Sequence, residues 1–360
     1  TILEETVGCE RCHGPGELHA QKHHNKKSAT LPLTDLTNPI EDGPDDTIVN
    51  PANLNRELSE AICQQCHLQA AGKALRAGKE EWDYRPGTPL TDIRLDYQYR
   101  LGDDKMKVVG HVEQLHQSKC YQQTETLTCI TCHNPHDTPT PEKMAAHYRS
   151  ICLDCHDNSA CGEPLPARMS TAQNDCAKCH MPKIDTEIPH TALHHHRIGI
   201  HNTESDAPEV AVGLSPILDI SNLTTLERAR CEALAKFQVG QEEPDNPNFK
   251  DYGLESAKAL IQLKNSGNAD ADANTILALL ARSQGQSAIA RDLAKEVVEG
   301  EKKPTRAKVE ALRLLAQLTY QKRNFAEAAN LYRQVTQFQS EAYDYFQLGI
   351  SEQNSGQTER

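Results

Sequence analysis

The sequence predicts a mainly α-helical chain in two parts: a loop-rich N-terminal part built on short helices, followed by an α-solenoid of paired helices. Three observations predict it. All 17 histidines lie at or before His201, and 12 of the 13 cysteines lie at or before Cys179, so metal-ligating residue types are confined to one side of the chain. Strand-like alternation of apolar and polar residues is weak throughout. From about Thr224 onward the apolar residues recur at the helical period of 3.6, in pairs of segments.

A chain of 360 residues has room for two domains. The boundaries expected are residues 1–205, a linker over 206–223, and a helical domain over 224–360. The net charge of −13 divides into 28 acidic against 20 basic residues up to His201 and 23 against 18 beyond it. Neither half is basic, so nucleic acid and anionic membranes are not expected partners. No apolar run approaches the roughly 20 residues that span a bilayer, and no charged-then-apolar leader opens the chain at Thr1. A mature or trimmed chain without a transmembrane segment is the expectation. Aromatic residues make up only 4%, and the first half is poor in long apolar runs, so its protein core should be thin.

Five pentapeptides carry the chemistry: Cys9-Glu-Arg-Cys12-His13, Cys63-Gln-Gln-Cys66-His67, Cys129-Ile-Thr-Cys132-His133, Cys152-Leu-Asp-Cys155-His156 and Cys176-Ala-Lys-Cys179-His180. Two thiols three positions apart reach the two vinyl groups on one porphyrin edge, and the adjoining histidine then lies under the iron. Paired cysteines also build zinc sites and redox dithiols, but neither requires a histidine directly after the second cysteine. The reading is therefore five covalently attached c-type haems. The ten motif cysteines bind the cofactor, and His13, His67, His133, His156 and His180 bind iron. Haem of this kind is attached outside the cytoplasmic membrane, so a periplasmic or extracellular, secreted protein is expected, its signal peptide not in this chain.

The sixth iron position separates a carrier from a catalyst. Methionine is scarce (Met106, Met144, Met169 and Met181), whereas twelve further histidines remain, so histidine on both sides of the iron is expected, with a low potential as its consequence. His136 follows its motif in CHNPH, where the Asn134-Pro135 turn swings its side chain toward a neighbouring haem. His19 in GPGELH, His190 and His196 in IPHTALHHHRI, and one of His111 and His116 in HVEQLH complete the candidates. His194 to His196 cannot all face one haem. His23, His24 and His147 read as surface residues. The last three motifs begin 23 and 24 residues apart, against 54 and 66 earlier, so His133, His156 and His180 should anchor neighbouring haems along one path. Cys120 and Cys161 read as a disulfide, with two buried thiols as the alternative. Cys231 reads as a buried small hydrophobe.

Leu31 to Asn53 and Lys79 to Thr91 read as long surface loops, and Leu54 to Gln69 and Pro141 to Cys155 as helices leading into motifs. Beyond Thr224 a repeat of about 34 residues emerges. Leu312, Leu315, Ala316, Tyr320, Phe325, Ala328, Tyr332 and Val335 fall where a tetratricopeptide repeat places its packing residues. Leu277, Ala278, Gly285, Ala290 and Ala294 occupy corresponding places, and Tyr345, Leu348, Gly349 and Gly356 open another repeat. A degenerate earlier pair spans Leu226 to Leu263, and a generic helical bundle is the alternative reading. Small residues at these positions let helices cross closely, and such arrays commonly offer a groove to a partner.

With both halves read, the chain resembles bacterial multihaem c-type cytochromes that carry C-terminal tetratricopeptide repeats. The strings VGCERCHGPGELH, CQQCHLQ, HVEQLHQSKCY, LTCITCHNPH, YRSICLDCH, DCAKCHMPK and IPHTALHHHRI carry the resemblance. In haem arrangement that group is similar to the superfamily of hydroxylamine oxidoreductase and pentahaem nitrite reductase. The resemblance implies His19, His136, His190 and His196 as distal ligands and Cys120 with Cys161 as an extra pair. It also implies further haem motifs upstream, which this sequence lacks, so some ligands here could serve a haem elsewhere. The Cys-x-x-Cys-Lys motif of the nitrite reductases is missing.

The expected function is electron transfer along closely spaced bis-histidine haems. Redox proteins are the expected partners, with the repeats serving docking or self-assembly, in one version as a polymeric extracellular conduit. The alternative is a reductase or oxidase of a small nitrogen or sulfur compound at one open haem.

Overall fold

A computed structural model describes residues 7–28, 45–101, 110–184, 193–201, 211–339 and 341–356. The chain forms two compact units that interleave in sequence: Thr1–Gln69, Tyr84–Asp92 and Val108–Pro208 in the first, and Ala70–Asp83, Ile93–Lys107 and Glu209–Arg360 in the second.

The first unit is built from short helices, some of whose starts are capped by side chains. Helix α1 (Glu10–His13) is a single turn, and α2 (Glu17–Ser28) follows it directly. Helix α3 (Arg56–His67) starts where the Asn55 side chain accepts the Leu58 N–H at 2.9 Å, satisfying a backbone donor that the first turn leaves unpaired. It buries Ala61 and Ile62 together with Glu60 and Gln64. Helices α4 (His111–His116) and α5 (Lys119–Gln123) are followed by α6 (Cys129–Cys132), where Thr128 and Thr131 cap each other's backbone. Helix α7 (Pro141–Leu153) places proline in its first turn, where no N–H is needed. Helix α8 (Leu165–Ala172) precedes α9 (Cys176–His180), which Asp175 caps at the Ala177 N–H, 2.9 Å. A two-residue ladder pairs Lys183 with His194 and Ile184 with Leu193. Helices α3 and α7 coincide with the helices expected before the second and fourth motifs.

The second unit opens with a sheet that the sequence reading missed. Strands β1 (Gly72–Leu75), β2 (Arg94–Leu101) and β3 (Ala211–Pro216) are antiparallel in the order β1-β2-β3, with Leu75 opposite Arg94 and Tyr97 opposite Pro216. Three expectations are corrected by it. Strand β2 is buried on both faces, so the alternation that announces a half-exposed strand does not occur: Leu95 and Tyr97 are buried on one side, and Arg94 pairs with Asp96 at 2.9 Å on the other. Residues 211–216, expected as linker, are the third strand. The stretch from Lys79 to Thr91 holds two short 3-10 turns, and Tyr84, Leu90 and Thr91 within it are buried rather than on the surface.

Seven helices follow among the described residues: α10 (Thr225–Glu242), α11 (Tyr252–Asn265), α12 (Ala271–Ser283), α13 (Ser287–Gly300), α14 (Arg306–Gln321), α15 (Phe325–Phe338) and α16 (Ala342–Asn354). Consecutive helices pack on one another, and α12 also touches α10 and α14. Thr224, Asp270, Thr305 and Asn324 cap the starts of α10, α12, α14 and α15 through their side chains. One continuous core joins the sheet to the helices, with Ala74, Leu95 and Tyr97 against Cys231, Leu234 and Ala235. At Gly72 a side chain would lie 3.0 Å from the Ala235 carbonyl, so glycine is what lets β1 sit this close to α10. Ala278, Ala290, Ala294, Ala316 and Ala328 are fully buried where small residues were expected to let helices cross, and Cys231 is buried as expected. No helix of the described residues is long and apolar enough to cross a membrane.

Candidate haem sites

Each Cys-x-x-Cys-His pentapeptide folds as a helical turn. The His13, His133 and His156 amides each donate to the carbonyl of the cysteine four residues earlier at 3.0 Å, and the second and fifth motifs end α3 and form α9. Residues i, i+3 and i+4 lie on one helix face, so two thiols and an imidazole point the same way. That is the arrangement a porphyrin edge and its iron need.

Hydrogen bonding sorts the histidines by which nitrogen is left for a metal. A neutral imidazole carries one N–H, so a ring that donates from Nδ1 to a carbonyl keeps the Nε2 lone pair free. His13 bonds Val49 O through Nδ1 (2.7 Å), His180 bonds Gly199 O (3.1 Å), and His196 bonds the His194 carbonyl (2.8 Å). His194 does the same with Met181 O at 2.8 Å. Three others are engaged differently. His201 directs Nε2 at the Arg197 and His180 carbonyls, 2.9 and 3.2 Å away. His195 Nδ1 accepts the Arg197 N–H at 3.0 Å, which puts its own proton on Nε2. His116 Nε2 pairs with the buried carboxylate of Glu60 at 2.9 Å.

Three proximal histidines each lie opposite a candidate distal one. The ring centroids of His13 and His136 are 5.9 Å apart with planes 10° from parallel. His67 and His111 are 5.8 Å apart at 34°, and His133 and His196 are 6.2 Å apart at 23°. Two imidazoles on opposite sides of one metal, each bound at about 2 Å, place their centroids about 6 Å apart. All three pairs have the separation that one shared iron requires, so these residues fit the group. Of the two HVEQLH histidines, His111 is the one whose ring lies near His67, whereas His116 Nε2 meets Glu60. His111 and His196 also meet directly, with centroids 4.3 Å apart. Burial and neighbouring histidines push His111 and His133 below the usual imidazole range, and burial takes His196 down to about 4, favouring the neutral form that ligates.

The motif cysteines form a connected series. Burial raises the Cys12 thiol, and Cys63 and Cys66 beside it add to the effect. Cys129 is raised by its hydrogen bond with Cys63 and by burial. Burial, then Cys176 and Cys132, raise Cys152 to about 11. The first motif thus adjoins the second, the second the third, and the third, fourth and fifth meet around Cys152.

Cys120 and Cys161 are free thiols, so the expected disulfide is not formed; Cys120 lies instead near Cys132, whose thiol it helps to raise. His190 lies outside the described residues. Among the described residues none of these proximal–distal pairs includes His156, His180 or His19. The residues that sequence reading missed are carboxylates. Glu60, almost fully buried, accepts from the Tyr121 hydroxyl at 3.0 Å through the same oxygen that meets His116, and its Oε1 is buried without a hydrogen-bond partner among the described residues. Arg56 lies 4.1 Å over the Tyr121 ring. Asp45 gathers His19, His23 and Lys22, and the ligand atoms of His19, His23 and Asp45 lie within 4.8 Å of one another. His23 is exposed, as expected, and its ring also joins this cluster. A glutamate at helical spacing among buried positions of α3 was a readable signal; Asp45, in a loop, gave none.

Residues 123–160 match the family model described as a doubled CXXCH motif, which takes in the third and fourth motifs. Such pairs support a multihaem c-type cytochrome. The motifs indicate covalently bound haem c and electron transfer through it. No curated protein and no solved structure matches the chain.

Proposed function

We propose that the chain carries electrons along five covalently attached haems. Cys9 and Cys12, Cys63 and Cys66, Cys129 and Cys132, Cys152 and Cys155, and Cys176 and Cys179 attach them. Three iron axes are His13/His136, His67/His111 and His133/His196; His156 and His180 supply the proximal ligands of the other two, with His19 and His190 as candidates opposite them. The observation that carries this reading is the set of three opposed ring pairs near 6 Å. The contact of the His111 and His196 rings supports close coupling of the second and third haems, and the meeting of motif cysteines around Cys152 supports the same for the last three.

What the haems supply is reversible one-electron storage at iron; the protein's part is to hold each imidazole as the neutral Nε2 ligand and to keep the sites close. The bonds from His13, His180 and His196 Nδ1 to carbonyls do the first. The paired helices of the second unit are read as a tetratricopeptide solenoid that docks a redox partner or another copy, and the haems imply a periplasmic or extracellular location. The test is single substitution of His136, His111 and His196 to alanine in the haem-loaded protein. Each should convert one haem from low-spin six-coordinate to high-spin five-coordinate in electron paramagnetic resonance, while His116→Ala should convert none. Unchanged spectra for the first three would remove the axes proposed.

A further inference from the structure

Asp45 is a heavily engaged carboxylate of the first unit. Its Oδ2 accepts from His19 Nδ1 at 2.7 Å and from His23 Nε2 at 2.9 Å. Its Oδ1 accepts from Lys22 Nζ at 3.0 Å and from the Thr47 amide at 3.0 Å, with the Thr47 hydroxyl on the same oxygen. His19, Lys22 and His23 come from α2, whereas Asp45 and Thr47 come from more than 20 residues later, so the carboxylate is brought to this place by the fold.

We infer that Asp45 is a positioning residue for His19: by accepting its Nδ1 proton it fixes the ring with Nε2 outward and makes that nitrogen a stronger donor to a haem iron. The chemistry is general. A metal-binding histidine whose other nitrogen donates to a carboxylate has a set tautomer, a set orientation and raised basicity. His13, His180 and His196 use backbone carbonyls for this purpose. A carboxylate pulls the Nδ1 proton more strongly than a neutral carbonyl, so the iron bound by His19 is stabilised in its ferric state relative to its neighbours. One haem of the chain is thereby set at a lower potential by an identifiable side chain.

This inference rests on the reading of His19 as an iron ligand, and the experiment separates the two. In the haem-loaded full chain, His19→Ala should leave one haem high-spin; if every haem stays six-coordinate, the ligand reading fails and the inference with it. Asp45→Asn keeps the shape of the side chain but removes its charge. The expected result is that all haems remain low-spin while the midpoint potential of one haem rises in a spectroelectrochemical titration, and Asp45→Glu restores it. His23→Ala, which leaves the His19–Asp45 bond in place, should not reproduce the shift. With His19→Ala giving a high-spin haem, unchanged potentials in Asp45→Asn would overturn the positioning role. Elemental analysis showing one zinc or copper per chain, lost in Asp45→Asn and His23→Ala alike, would overturn it too, because the cluster would then be a separate metal site.

Discussion

The two units of this chain solve the problem of a hydrophobic core in different ways. In the second, Leu260, Ala278, Ala294, Ala311, Leu312 and Ala316 are fully buried in closely packed layers. Among the described residues of the first, buried apolar side chains are few (Ala61, Ile62, Leu68, Tyr84, Leu90, Val112 and Ala172), while Leu18, Leu165, Met169 and Ile200 are at least half exposed. Burial of apolar area, at about 25 cal/mol per Å², is the stabilisation that the packing of the second unit supplies. The first carries all ten motif cysteines, and covalently attached haem would add the apolar volume that its described residues supply sparingly. Covalent cofactor and side-chain packing are thus alternative sources of the same stabilisation.

The largest effect that separates the units is expected from withholding haem. Chain produced where haem is not attached should show amide-exchange protection in α10–α16 and in β1 and β2, and none in the motif helices. Equal protection in both units would break the comparison. Next comes the ion pair that ties sheet to helices. Arg230, buried, donates to the Leu75 carbonyl at 2.6 Å and to Asp272 at 2.9 Å, with Asp270 also bound. Arg230→Met leaves two carboxylates unpaired and should cost about 3 to 5 kcal/mol in urea unfolding, with the haem spectrum unmoved. Smaller again is Ala294→Leu, which overfills the contact between helices and should cost about 1 to 3 kcal/mol. The least is a gain. Arg323 holds φ 61° in the turn between α14 and α15, where the turns after α11, α12 and α16 have glycine at φ 73°, 73° and 79°. Arg323→Gly should change stability by no more than about 1 kcal/mol, toward a higher melting temperature in calorimetry.

What the sequence disclosed follows the same division. The motif turns, helices α3 and α7, and the paired helices from Thr224 were legible because each is local: spacing in a pentapeptide or a 3.6-residue period is visible without knowing what packs on it. The sheet was not, because Arg94, Asp96 and Gln98 are buried on the face where a surface strand would show solvent-exposed residues, and its third strand comes from more than 100 residues later. Candidate ligands were legible as residue types only. His111 lies near His67 while His116 meets Glu60, a residue 56 positions from it, and neither contact is visible in the spacing. Asp45 was invisible for the same reason: its meaning lies in what the fold brings to it.

The measurement that tests the account most directly is near-infrared magnetic circular dichroism of the oxidised, haem-loaded chain, together with its haem content. The ligand-to-iron charge-transfer bands distinguish two histidines from histidine with methionine and from an open site. Five haems per chain and only low-spin bis-histidine signals are expected. Fewer than five haems, a histidine–methionine band, or a high-spin haem in the unmodified protein would contradict that expectation.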